Sequence, residues 1–315
     1  IEAVADRVLV DTTGRVDASG AAGGGEVAIG TTLRGSVNPR LARRTGIAAG
    51  ATIRADATGQ GRGGTVIVNS QDYTAHAGSI SVRGGPQGGD GGVAEVSGQG
   101  GLLVLGAMDA SAPAGAPGTA LIDPIDLTII GRSDPEPPGA FVATIVDNVL
   151  GADDPPDTAF IRTDAIEFLR GDIRLEAQRD IFVNAPITGD TVGGALTLDA
   201  GRTIEVNDRI TRFQGLTLIA RTGDVLVQNQ GFLSDTTGIT VSAGNAIAIG
   251  GSGMQTAGTL DLQAGLAGIG QTAPVLAALL QLRTPGSAVH DLVSPDPHIS
   301  PNRVGALGAS DVGGD

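Results

Sequence analysis

The sequence contains no cysteine and no tryptophan, and aromatic residues make up only 2% of its 315 residues. Without cysteine the chain forms no disulfide and has no thiol chemistry, which an oxidising compartment tolerates but does not require. So few aromatic side chains exclude a core packed from large rings, and small aliphatic residues must therefore fill the interior. Hydrophobic residues reach 41% and recur in register, which distinguishes this glycine-rich chain from a disordered one.

Positive charge is also scarce, with 20 Lys and Arg residues against 34 Asp and Glu residues and a formal net charge of -14. Binding of nucleic acid depends on basic side chains that neutralise phosphates, so we predict no nucleic-acid partner. No uninterrupted apolar run of about 18 to 20 residues occurs, which predicts no membrane span. The first six residues lack a basic segment followed by an apolar one, and we expect the chain to be a fragment or processed piece of a longer protein.

A short apolar pattern recurs between residues 173 and 271. Its copies read IRLEA, LTLDA, LTLIA, ITVSA and LDLQA, and successive copies begin 20 to 23 residues apart, at Ile173, Leu196, Leu216, Ile239 and Leu260. Four of these copies are followed, after a small polar turn, by a second apolar pair: Ile181 with Val183, Ile204 with Val206, Val225 with Val227, and Ile247 with Ile249. Apolar and polar residues alternate, as they do in strands buried on one face.

This period predicts one coil of a parallel β-helix per copy, because two or three short strands fit in 20 to 23 residues. Equivalent positions then stack about 4.8 Å apart from coil to coil. We predict that the Leu/Ile row, the Leu/Val row and the Ala row point inward, and that Leu196, Leu216, Ile239 and Leu260 stack on one another. The polar column Thr197, Thr217, Thr240 and Asp261 should point outward.

A looser, glycine-richer repeat occupies the first part of the chain. Each unit reads as a strand, a Gly-rich loop and a second strand, and the predicted strand pairs are 15–18 with 26–29, 52–56 with 65–68, 79–83 with 93–96, and 108–110 with 119–122. Glycine permits the positive φ values of sharp turns, so we interpret the clusters as the corners of coils.

The order of motifs from residue 50 to residue 271 resembles the filamentous haemagglutinin family of large bacterial exoproteins. The resemblance is carried by GATIRADATGQGRGGTVIV at 50–68, by GSISVRGG at 78–85, by GGVAEVSG at 91–98, by the passage from Asp109 to Ile129, and by GDIRLEAQRDIFVN at 171–184. Many relatives have Trp where this chain has Asn69.

The resemblance implies an all-β fold, a right-handed parallel β-helix, and export by two-partner secretion through an outer-membrane transporter. It further implies a secreted or cell-surface location on a Gram-negative bacterium and a role in adhesion, as a non-catalytic rod that contacts host cells, other bacteria or polysaccharide.

Four segments follow from these patterns. Residues 1–130 are predicted as Gly-rich coils and residues 172–272 as regular coils. Residues 131–171, rich in proline and acidic residues, are predicted as an insertion outside the stack with a short helix after an N-cap at Asp164. Residues 273–315 are predicted as an apolar cap helix over 274–282 and an irregular tail.

The sequence offers no strong catalytic or metal-binding motif. His76, His290 and His298 are far apart and without metal-ligand spacing, so we predict no metal and no cofactor. Parallel β-helices also carry polysaccharide lyases and hydrolases, and the aligned repeats place Glu176 and Asp199 in one outward column, where paired carboxylates can perform acid–base chemistry. Our prediction is a non-enzymatic adhesin. The alternatives are such a lyase or hydrolase, or a passive stalk of a larger haemolysin or toxin passenger.

Overall fold

A computed structural model describes residues 1–134, 159–189, 194–285, 290–291, 302–307 and 311–312, and almost all regular structure in them is β-strand. The chain divides into two units. The first unit comprises Ile1–Leu127 with Arg132–Arg174, and the second comprises Thr128–Gly131 with Leu175–Asp315. In both, every strand pairing whose register is resolved is parallel, so the predicted parallel β-helix is confirmed.

The strands of the first unit form three parallel stacks, one strand from each stack per coil. In chain order they are β1 (Glu2–Ala3), β2 (Arg7–Val10), β3 (Arg15–Asp17), β4 (Glu26–Ile29), β5 (Arg44–Ile47), β6 (Thr52–Arg54), β7 (Thr65–Val68), β8 (Tyr73–His76), β9 (Ser79–Ser81), β10 (Val93–Gly98), β11 (Gly101–Val104), β12 (Ala107–Asp109), β13 (Thr119–Pro124) and, further along the chain, β15 (Ala159–Arg162). Two further strands, β14 (Leu127–Ile130) and β16 (Asp172–Ala177), begin in the first unit and end in the second.

Pairing in the first unit follows the predicted repeat. Strands β1, β4, β7, β10 and β13 pair in that order, as do β3, β6, β9 and β12. Sequence patterns did not identify the third stack of β2, β5, β8, β11 and β15. These strands escape notice because buried polar residues such as Arg44, Thr45 and His76 interrupt the alternation of apolar and polar positions.

The second unit has the same plan with more regular coils. Its strands are β17 (Ile181–Val183), β18 (Ile187–Thr188), β19 (Leu196–Ala200), β20 (Ile204–Val206), β21 (Arg209–Thr211), β22 (Leu216–Ala220), β23 (Val225–Val227), β24 (Phe232–Asp235), β25 (Gly238–Ala243), β26 (Ala246–Ile249), β27 (Gly253–Thr256), β28 (Thr259–Gln263), β29 (Gly268–Gln271), β30 (Val275–Thr284), β31 (His290–Asp291), β32 (Arg303–Leu307) and β33 (Asp311–Val312).

The predicted interior ladders are present. Leu196 pairs with Leu216, Leu216 with Ile239, and Ile239 with Leu260. The Leu/Val row stacks in the same way and so does the Ala row from Ala200 to Ala243, and the members of all three rows are buried. A further interior row, which the sequence did not reveal, is formed by Ile187, Ile210, Leu233, Met254 and Val275. Burial of these rows is the main contribution to folding.

The predicted cap helix over 274–282 is wrong, because residues 275–282 belong to strand β30. The strand continues two stacks at once: Val275 pairs with Met254, while Leu280 and Leu282 pair with Leu260 and Leu262. A helix would leave the edge of β28 unpaired, and pairing of that edge outweighs the helical preference of a Leu- and Ala-rich run. The predicted irregular tail contains the short strands β31, β32 and β33, and its remaining residues from 286 onward lie outside the described residues, apart from Asn302.

The predicted insertion is only partly described, since residues 135–158 with their prolines and acidic cluster lie outside the described residues. Its end was assigned wrongly, because β15 is a member of the stack and pairs with β11. The short helix is present as α1 (Thr163–Glu167), but its N-cap is Arg162 and not Asp164. Asp164 lies inside the first turn, where its carboxylate accepts hydrogen bonds from the Arg162 guanidinium at 3.1 and 2.9 Å.

Candidate functional site

An outward polar column runs across four neighbouring coils of the second unit. Thr197 pairs with Thr217, Thr217 with Thr240, and Thr240 with Asp261, and each side chain is partly exposed. The alternation of a strand directs these residues away from the interior rows, as predicted. Equivalent hydroxyl groups therefore recur at the spacing of one coil along this face.

Asp199 occupies an outward strand position, yet it is only 2% exposed. Arg221, one coil further on, donates from Nε to Oδ1 at 2.8 Å and from Nη2 to Oδ2 at 2.7 Å. The hydrogen bond and the negative charge of Asp199 raise the pKa of Arg221, and the charge of Glu176 contributes to the same shift. Both carboxylate oxygens of Asp199 are therefore occupied by one bidentate guanidinium.

Glu176 and Asp199 belong to the paired strands β16 and β19, and the charges of both act on Arg221. Acid–base hydrolysis of a glycoside needs one carboxyl group that gives up a proton and a second that is free to act as a base or nucleophile. Both oxygens of Asp199 already accept hydrogen bonds from Arg221, so this carboxylate is not free for either role. Arg221 lies directly after the repeated pentapeptide, so the repeat itself gives no signal for it.

Other outward polar groups are also tied from coil to coil. Asn207 donates to Asn184 at 2.9 Å and Asn229 donates to Asn207 at 2.6 Å, which makes a short ladder of asparagines at one turn. Arg202 forms a bidentate ion pair with Asp180 of the preceding coil. These bonds hold the turns of neighbouring coils in register and give this surface a fixed geometry.

The structure describes two of the three histidines. His76 is fully buried in β8, whereas His290 lies in β31 and His298 lies outside the described residues. In the part of the chain that the structure describes, no group of three or more His, Asp or Glu side chains is placed to hold a metal ion.

His76 makes a testable link between pH and stability. Its Nε2 lies 3.3 Å from the carbonyl oxygen of Ala107, while its buried Nδ1 has no partner, and burial lowers its pKa to about 4. Because this pKa is depressed below the unfolded value of about 6.5, the stabilisation is complete above pH 6.5 and is lost as the pH falls toward 4. We expect a loss of about 2 kcal/mol in the free energy of unfolding between pH 7.5 and pH 5.

Urea unfolding of the chain and of His76→Leu at both pH values measures this loss. The apolar variant removes the titrating group but keeps a similar volume, so the pH dependence that remains in it belongs to other groups. A pH dependence of equal size in both proteins would contradict the assignment to His76.

No protein-family model matches this chain, and no curated protein is similar enough to count as a relative. Within the described residues, no helix has the length and apolar character needed to cross a membrane.

Proposed function

We propose that this chain is a segment of a secreted or surface-attached exoprotein of the adhesin type, exported through an outer-membrane transporter. Its coils present a non-catalytic surface that contacts cells or extracellular polysaccharide. The observation that carries the proposal is the outward column Thr197, Thr217, Thr240 and Asp261, which repeats the same kind of polar group from coil to coil. Many weak contacts at a fixed spacing give a combined avidity that no single contact reaches.

The outward polar side chains of the second unit are fixed by bonds between coils, which favours binding of a partner surface over catalysis. Asp199, one of the two candidate carboxylates, is held by Arg221, and the asparagines and ion pairs at the turns connect coils to each other. The resemblance to filamentous haemagglutinins supports the same function and supplies the expected route of export. Fold alone does not decide between an adhesin and an enzyme, so the decision requires a binding assay and a turnover assay on the same protein.

The test is a glycan array and a cell-binding assay on the purified chain, beside an assay of polysaccharide depolymerisation. We expect binding without turnover, and we expect the double variant Thr217→Ala/Thr240→Ala to weaken binding while Thr236→Ala, an exposed threonine outside the column, leaves it unchanged. Turnover that is abolished by Glu176→Gln or Asp199→Asn would show an enzyme. Absence of both binding and turnover would leave a passive stalk of a larger passenger.

A further inference from the structure

A pair of apolar residues on the outward face of the first unit is buried. Ala28 and Ile67 are register partners on β4 and β7, and they are 0% and 5% exposed. They share the outward face with Glu26 and Thr65, because side chains two residues apart on a strand point the same way. Another segment must therefore cover this pair, which would otherwise lie in water.

The loop between β4 and β5 contains a strap, residues 31–41, that closes on itself and takes no part in the strand ladders. Thr31 and Leu41 form an antiparallel bridge at its base, and the Thr32 amide donates to the Arg40 carbonyl oxygen at 3.1 Å. Its tip is exposed, with Val37 at 95%. Lifting the strap therefore breaks none of the ladder hydrogen bonds that join one coil to the next.

Two polar contacts hold the strap on the coils in the part of the chain that the structure describes. The Leu33 amide donates to the Glu2 carboxylate at 3.1 Å, and Arg34 Nη2 donates to Glu95 Oε2 at 2.5 Å. Glu95 is 8% exposed, and its other carboxylate oxygen accepts from Ser97 at 2.9 Å, so this end of the ion pair is fixed. The Arg34 side chain is 72% exposed, so salt screens its attraction to the carboxylate.

Packing beneath the strap is incomplete. A cavity of about 120 Å³ lies between Leu33 and Arg34 of the strap and Ile67 and Val93 of the strands. A void loses the dispersion contacts that a filled interior makes, so the apolar contacts under the strap are fewer than those of a close-packed core. The strap therefore depends on its polar contacts more than a closely packed loop would.

We propose that the strap opens and closes as one unit over Ile67, and that the ion pair between Arg34 and Glu95 is its latch. Opening leaves the coils paired, because the ladders of β4, β7 and β10 do not run through the strap. High ionic strength favours the open state, since it weakens the latch. The first unit then has an apolar outward strip that meets water only when the latch is released. This inference does not depend on the proposed adhesin function.

Thiol labelling tests the proposal, because the chain has no cysteine and a single introduced one is its only thiol. Ile67→Cys places the thiol under the strap. We expect Arg34→Gln in this background to speed the reaction with a thiol reagent about fivefold, since the latch is lost. Raising the salt from about 0.01 M to about 1 M should speed the reaction of Ile67→Cys alone and have little effect once Arg34 is replaced.

Two controls separate opening of the strap from loosening of the coils. Arg40→Gln removes an exposed cation of the same strap that has no ion pair with any described residue, and it should leave the labelling rate of Ile67→Cys unchanged. Val68→Cys places the thiol at a residue that is 0% exposed on the inward face of β7, and it should react slowly with or without Arg34→Gln. If Ile67→Cys does not fold, Ala28→Cys reports from the neighbouring strand.

Three results would overturn the proposal. Equal labelling of Ile67→Cys with and without Arg34→Gln would show that the ion pair does not hold the strap closed. Equal acceleration by Arg40→Gln would show a general effect of charge. Acceleration of Val68→Cys together with Ile67→Cys would show that the coils separate and that the strap does not open by itself.

Discussion

Leu218→Asp is expected to destabilise the second unit by more than about 4 kcal/mol. Leu218 is completely buried and stacks between Leu198 and Val241 in the middle of an interior row. An aspartate there has no cation within the apolar row, so the folded state must either bury a charge or protonate the carboxyl group. Urea unfolding, followed by far-ultraviolet circular dichroism, measures the loss.

Thr217→Asp is the matched control, because it introduces the same carboxylate one residue earlier on the same strand. Thr217 points outward, and its column already contains an aspartate two coils further on, at Asp261. We expect this variant to differ from the parent chain by less than about 1 kcal/mol. If Leu218→Asp costs no more than Thr217→Asp, then the assignment of inward and outward faces is wrong.

The interior of the second unit could be predicted because its five copies have nearly equal lengths and keep identical residue types at equivalent positions. When Leu196, Leu216, Ile239 and Leu260 recur at a nearly constant interval, a stack of parallel strands is the arrangement that buries all of them at once. The strand pairs of the first unit could be predicted in the same way, with glycine clusters as their boundaries.

Other features depend on contacts between residues that the sequence repeat does not relate to each other, and these could not be predicted. The strand β8 was missed because two of its four residues, Thr74 and His76, are polar and yet buried. Pro274 and the apolar run after it resemble a helix start, but the open edges of β27 and β28 make residues 275–284 a strand. At the candidate site, the repeat aligns Glu176 with Asp199, whereas the ion pair of Asp199 with Arg221 depends on how the turn after Ala220 folds.

The glycine clusters of the first unit lie at turns between strands, as predicted, but the positive φ angle is only part of the reason that glycine is needed there. Positive φ was expected to explain them, and it does apply at Gly88 and Gly89. At Gly64, Gly92 and Gly118 the constraint is space, because a Cβ atom would lie 2.0, 1.9 and 2.1 Å from the carbonyl oxygen of the equivalent glycine one coil before. These three residues form a ladder in which each coil contacts the next through backbone alone.

Gly92→Ala is therefore expected to destabilise the first unit by about 3 kcal/mol or more, an unusual cost for one methyl group. The added Cβ would meet the Gly64 oxygen at 1.9 Å and the Gly63 carbonyl carbon at 2.7 Å, so two neighbouring coils must separate. Separation lengthens the hydrogen bond from the Val93 amide to the Gly64 oxygen, now 2.9 Å, at the start of β10. Thermal and urea unfolding measure the cost, and hydrogen exchange of the β7 and β10 amides locates it.

The matched control is Gly270→Ala in the second unit. A Cβ at this exposed glycine has no atom within 4 Å, and its φ is not positive, so the same methyl group meets neither crowding nor strain. We expect Gly270→Ala to be neutral or to stabilise by up to about 1 kcal/mol, because alanine restricts the unfolded chain. Equal stability of the two variants would mean that the coils of the first unit can move apart at little cost. In that case the glycines are retained for their conformational freedom, and not for the close approach of one coil to the next.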